Sequence, residues 1–203
     1  IGSVGYIFTA WEHLLSYNHG VIVNWIANSV WYVATGLVLN LVITIPAGYA
    51  LSIIRFRGRR AIMWTTLIMR VIPAGVLVLP MFLELHALGL VNTPWALILP
   101  AGFSAASVYL VFVYYKSAMP RDLVDAARVD GCSEWQLFWY VGLPLAKAVI
   151  AILLFLNFRG LWNNFFGAQI LIYSDNLRTL PVGTAILITD LGAIRPNPFA
   201  MGI

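Results

Sequence analysis

The chain has 203 residues, of which 61% are hydrophobic and only 10% charged, with a mean hydropathy of +0.86. That is too little polar surface to coat a soluble globule of this length, so the composition puts the chain in a bilayer. The net charge of +4 gathers beside apolar segments and forms no basic stripe interleaved with stacking aromatics, which argues against a nucleic-acid surface.

The chain opens at Ile1 without an initiator methionine, and its first residues lack the basic flank and short apolar core of a signal peptide. Four apolar stretches follow, each long enough to cross about 30 Å of hydrocarbon as a helix. They run from Trp25 to Ile54, Ala61 to Leu85, Pro94 to Lys116 and Leu145 to Ile172. The alternation of barrel strands is absent, so helices are predicted.

Arg55, Arg57, Arg59 and Arg60 fill the first connection, and Lys116, Arg121, Arg128 and Lys147 fill or flank the third. The opposite side carries only Arg178 and Arg195, so the positive-inside rule predicts the first and third connections in the cytoplasm. The start of the chain, Ala87 to Thr93 and Ser174 to Asn197 then face outward. Pro46, Pro73, Pro80 and Pro100 fall inside spans, with Gly102 and Ala106, and Ala101 and Ala105, in small-xxx-small spacing. Such residues permit bends and close helix approach, and ordinary packing accounts for them as readily as hinges do.

The single Cys132 has no disulfide partner in the chain, and a buried or spectator thiol is expected. His13, His19 and His86 lack the spacing that sets two imidazoles on one metal, so no metal site is expected. Neither Lys116 nor Lys147 follows a glycine, so no phosphate-binding loop is present.

The third connection carries the most specific pattern. Pro120 suits a first helical position, Asp122 and Asp125 an early turn, and Gly131 a left-handed stop. Ser133-Glu134-Trp135-Gln136 has the form of a capping box, and the run Leu137 to Val141 leads to Gly142-Leu143-Pro144. Two short helices joined at a glycine make a compact knob. The small side chains of Ala126 and Ala127 would let a partner approach closely, although an interfacial amphipathic turn fits the same residues.

Asp125-Ala126-Ala127, three residues, Gly131, nine residues and then Val141-Gly142-Leu143-Pro144 resembles the EAA loop of ABC importer membrane subunits, E-A-A-x3-G-x9-I-x-L-P, with Asp for Glu and Val for Ile. Asn28-Ser29, Arg57-Gly58-Arg59-Arg60, Ile72-Pro73, Leu88-Gly89-Leu90-Val91-Asn92-Thr93, Gly160-Leu161-Trp162-Asn163-Asn164 and Leu180-Pro181-Val182-Gly183 are similar to the carbohydrate-uptake, maltose-permease-like subgroup. The resemblance implies an all-α, polytopic inner-membrane bundle of the type I ABC importer kind, with residues 1–203 one permease domain and 117–144 its cytoplasmic loop. A first helix before Ile1 and most of a last helix after Ile203 would then be missing, so the chain is expected to be a fragment.

The resemblance also implies a role in ATPase coupling for Asp125, Ala126, Ala127, Arg128, Gly131, Leu143 and Pro144. The implied partners are a second permease subunit, two ABC ATPase subunits that bind ATP and Mg, an extracytoplasmic solute-binding protein and the lipid bilayer. No cofactor or enzymatic activity is expected in this chain. Sugar or oligosaccharide is the implied cargo, and Arg159, Trp162, Asn163 and Asn164, with Arg70, are candidates for the substrate pathway. Charges inside spans are costly unless they face a partner or a watery cavity, so structural pairing or snorkelling would explain Arg70 and Arg159 as well. Glycerol phosphate or another anion is an alternative cargo that these arginines suit. A secondary transporter would need carboxylates in mid-span, and none is there.

Overall fold

The structure, a computed structural model, describes residues 20–194. His13, His19, Arg195 and the end of the outer connection at Asn197 lie outside the described residues. Ten α-helices of four residues or more are described: α1 (Val21–Ile53), α2 (Arg59–Val71), α3 (Ala74–Ala87), α4 (Trp95–Ala101), α5 (Ala105–Ala118), α6 (Arg121–Val129), α7 (Glu134–Leu137), α8 (Lys147–Trp162), α9 (Phe165–Leu171) and α10 (Leu180–Ile194). A π-turn over Phe138–Gly142 and a short turn over Leu143–Leu145 lead from α7 towards α8.

Two of the four predicted spans are helices long and apolar enough to cross a membrane, Val21–Ile53 and Trp95–Ala118, and the other two are bent helix pairs. α1 is continuous through Pro46 for 33 residues, about 50 Å at 1.5 Å per residue, so it outruns the hydrocarbon. α4 and α5 together form one 24-residue span, Trp95–Ala118. The second span is not one helix: it breaks at Ile72, whose ψ of 122° is extended, because Pro73 disfavours helical backbone in the residue before it. The fourth begins at a 68° bend between Glu134–Leu145 and Lys147–Trp162. It stops at Trp162, ten residues short of the predicted end at Ile172, and resumes as α9 after Asn163 and Asn164.

The chain divides into two compact units, one drawing on residues up to 34, 82–97 and from 162, the other on 35–81 and 98–161. The second unit has a core of Ile45, Tyr49, Val111, Tyr115, Val124, Leu137, Phe138, Val149 and Leu153, so the third connection is packed onto the membrane helices and does not hang from them. α2 lies beside α5, and it exposes Ile62, Trp64 and Ile68. Gly48 and Gly102 allow close approach of α1 to the Trp95–Ala118 span, where added Cβ atoms would collide with Val111 and Leu39 respectively. Where the backbone is interrupted after Ala101, the freed carbonyl accepts a hydrogen bond from Asn40 Nδ2 at 3.2 Å, as hydrocarbon requires. Asn40 Oδ1 in turn accepts from Asn157 Nδ2 (3.2 Å), which also reaches Ser107 Oγ (3.2 Å). Three helices are thereby tied through polar side chains that the sequence reading did not single out.

In the first unit, Asn28 and Ser29 on α1 anchor the segment before α10. Asn28 Nδ2 donates to the carbonyls of Asn176 (2.7 Å) and Arg178 (3.2 Å), and Ser29 Oγ accepts from Leu180 N at 2.7 Å. Asn92 does the same work elsewhere. Its backbone is left-handed at φ 61°, and its Oδ1 accepts from the amides of Tyr173 (3.1 Å) and Ser174 (2.9 Å). Gly183 faces the indole of Trp25 with no room for a Cβ.

Candidate functional site

The loop after α5 begins at Pro120, which caps α6 one position before the predicted one. Nine residues later the helix ends in a complete Schellman motif. Gly131 sits at φ 83°, its N–H donates to Arg128 O (3.1 Å), and Cys132 N–H reaches back to Ala127 O (3.0 Å). Those two bonds satisfy carbonyls that a helix end otherwise leaves open. An added Cβ at Gly131 would meet nothing within 4 Å, so the requirement for glycine there is one of backbone conformation alone.

α7 carries both halves of the predicted capping box: Ser133 Oγ accepts from Gln136 N at 3.3 Å and Gln136 Oε1 accepts from Ser133 N at 2.8 Å. The next residues widen into the π-turn. In a regular helix the ring of Pro144 would strike the carbonyl of Tyr140, and the wider turn relieves that clash. Tyr115 Oη from α5 donates to Gly142 O at 3.0 Å. The Tyr49 ring lies close against Gly142, where a Cβ would sit 2.9 Å from Cε2. Leu143 and Val141 pack against the same core.

One ion pair joins the two short helices. Arg128 directs Nε (2.9 Å) and Nη2 (2.8 Å) at Glu134 Oε1, and its Nη1 lies 3.4 Å from Asp125 Oδ1. These side chains are 36% to 70% exposed, so the pairs fix direction and add less than about 1 kcal/mol of stability.

The faces of α6 differ from the sequence expectation in one respect. Val124 is buried at 4% and Ala127 is half-buried against the core. Of the two alanines only Ala126 is exposed, alongside Asp125, Leu123 and Val129, the last at 86%. Val124 and Ala127 are three residues apart and therefore share the inward face. The smallness of Ala127 serves packing beneath the helix, and Ala126 leaves the outer face open.

A cavity of about 270 Å³ is lined by Arg55 and Arg59 from the first connection and by Arg121 and Arg128 from the third. The two connections expected in the cytoplasm therefore lie at one end of this unit. Cys132 is half-buried and unpaired. Among the described residues no group of three or more His, Cys, Asp or Glu side chains is placed to hold a metal ion.

The other sequence candidates lie on α2 and around the break between α8 and α9. Arg70, exposed in the last turn of α2, holds its guanidinium 5.3 Å from the centroid of the Tyr109 ring. Arg159 is exposed and Trp162 half-buried at the end of α8. Asn163 begins the break after it. Asn164 caps α9, its Oδ1 accepting from Gly167 N at 3.2 Å, so part of its hydrogen-bonding capacity is spent locally.

Comparison with known proteins agrees with this architecture. The family described as "Binding-protein-dependent transport system inner membrane component" matches residues 40–203. The arabinooligosaccharides transport system permease protein AraQ of Halalkalibacterium halodurans is 38% identical over 85% of this chain and 62% of its own length. Its Bacillus subtilis counterpart is 34% identical over 83% of this chain and 59% of that protein, so the chain spans about three-fifths of these relatives. A crystal structure of a bacterial ABC transporter involved in import of the acidic polysaccharide alginate aligns with a TM-score of 0.79 and 28% identity. That alignment covers 96% of this chain and 67% of the aligned one. With an all-helical membrane fold, a Schellman-closed loop and a family match over most of its length, the chain belongs to the inner-membrane components of binding-protein-dependent transport systems.

Proposed function

We propose that this chain is a membrane-spanning subunit of an ATP-driven importer of sugars or oligosaccharides, and that α6 with its Schellman end and the capped α7 is the element an ATPase subunit moves. The observation that carries the reading is the construction of the loop. A coupling element must transmit displacement without deforming, since an equilibrium shifts only by the differential contacts each state makes. Here α6 is anchored below by Val124 and Ala127, stopped by Gly131 and tied to α7 by Arg128 and Glu134. The relatives, with arabino- and galactooligosaccharide transport system permease proteins among them, support carbohydrate as the cargo. Partner ATPases, a second permease subunit and an external binding protein are part of the proposal. ATP hydrolysis belongs to the ATPase subunits, because this chain has no phosphate-binding loop.

Arg159 and Trp162 are proposed to contact the solute. Replacement of Arg159 by Ala should weaken uptake affinity while leaving assembly intact, and an unchanged affinity and preference would reject the contact. The coupling role is tested by Ala126→Trp against Ala127→Trp. The first fills the outer face and should abolish ATP-driven uptake with the loop still folded. The second forces the helix off its core and should unfold the loop and lower yield. Normal uptake with Ala126→Trp would reject α6 as the coupling element.

A further inference from the structure

The cavity at the cytoplasmic end of the second unit has a composition that coupling does not explain. Ser52, Arg55, Arg59, Lys116, Arg121 and Asp125 all line it, and its one carboxylate, Asp125, already faces Arg128. Arg59 spends part of its guanidinium on the last carbonyls of α1, donating to Ser52 O (3.0 Å) and Ile54 O (3.3 Å). Arg55 and Arg121 form no ion pair among the described residues, and Lys116 stands 5.3 Å from the Phe112 ring centroid. Ser52 is only 8% exposed, and its buried hydroxyl has no hydrogen-bond partner. Uncompensated cations lining one cavity fit an anion that brings several acceptor oxygens.

A second cleft adjoins it. Arg59 and Lys116 line both, and the second continues along Phe56, Met63 of α2 and Phe112 of α5, beside a helix that exposes Ile62, Trp64 and Ile68. A charged mouth at the level where α1 and α5 leave the membrane, opening onto an apolar wall, has the shape of a phospholipid with its phosphate inward and an acyl chain along α2. We propose that the cavity between the first connection and α6 binds the phosphate of an anionic phospholipid. Basic pockets between membrane helices on the cytoplasmic side take such head groups. The site goes beyond the transport reading and makes the lipid a wedge between α1 and the loop.

The test uses the complete importer, purified in detergent, exposed to equal amounts of phosphatidylglycerol and phosphatidylcholine and read by native mass spectrometry. The native complex should retain phosphatidylglycerol preferentially. The double variant R55Q/K116Q should retain it roughly 30-fold less well, the effect of two juxtamembrane cations, and the charge-preserving R55K/K116R should recover most of the retention. Should the double variant fail to assemble, R55Q and K116Q singly should each lose about fivefold. Equal retention by native and R55Q/K116Q complexes overturns the proposal, as it would if an acidic side chain of an ATPase subunit filled the cavity. Displacement of the lipid by inorganic phosphate at matched concentration also overturns it, assigning the cavity to a soluble phosphate compound. Because the readout is bound lipid, a negative result leaves the transport reading standing, and loss of uptake leaves the lipid site standing.

Discussion

Replacing Gly131 separates conformation from bulk at the heart of the loop. Its φ of 83° is left-handed, and no atom lies within 4 Å of an added Cβ, so alanine meets no steric obstacle and the cost is that of an L-residue in this region, roughly 1 to 2 kcal/mol. Asparagine visits the same region more readily. Local opening of the Schellman turn should therefore become about fivefold or more easier in Gly131→Ala, with a smaller change in Gly131→Asn. Hydrogen exchange at the amides of residue 131 and Cys132, which donate the two closing bonds, measures that opening in the assembled complex. ATP-driven uptake should fall in the same order, Gly above Asn above Ala. A greater loss in the asparagine than in the alanine variant would show that side-chain volume and not backbone conformation governs the position, and the coupling argument built on a glycine stop would fail.

Asn157→Leu removes the donor to both Asn40 and Ser107 and should cost about 1 to 3 kcal/mol through buried acceptors left unpaired, measured as a lowered thermal midpoint of the purified complex. Gly183→Ala should destabilise the first unit because its methyl would enter the Trp25 ring; Trp25→Phe in the same chain should recover part of the loss, read as restored expression and uptake. Removing the Ser29 hydroxyl leaves Leu180 N without its 2.7 Å acceptor and should cost about 1 kcal/mol, again seen in the thermal midpoint.

What the sequence discloses and what it hides divides by distance along the chain. Gly131 and the Ser133–Gln136 box are read directly because both motifs close within five residues. Pro144 announces a disturbance but not its form, since whether a helix kinks or widens depends on Tyr115 and Tyr49 packing against Gly142. The inward face of Ala127 is invisible because two adjacent alanines look alike until Val124 is known to be buried. The cluster of Asn40, Ser107 and Asn157 joins residues 50 and 117 positions apart, and nothing local marks them as partners. The signal available was a polar side chain alone in an apolar run, which is costly in hydrocarbon unless it is answered by another. The end of α8 at Trp162 escaped the hydropathy reading for a related reason: Asn163 and Asn164 interrupt an apolar stretch too briefly to register over a 20-residue span, yet Asn164 is a strong helix N-cap.

The exposed face of α6 is proposed to meet an ATPase subunit and to move with it. Cysteine at Val129, exposed at 86% on that face, in a Cys132→Ser background should cross-link to an ATPase-subunit cysteine in the assembled complex, at a yield that changes between nucleotide-free and ATP-bound states. Cysteine at the buried Val124 should not. Absence of cross-linking at residue 129, or a yield indifferent to ATP, would contradict the account.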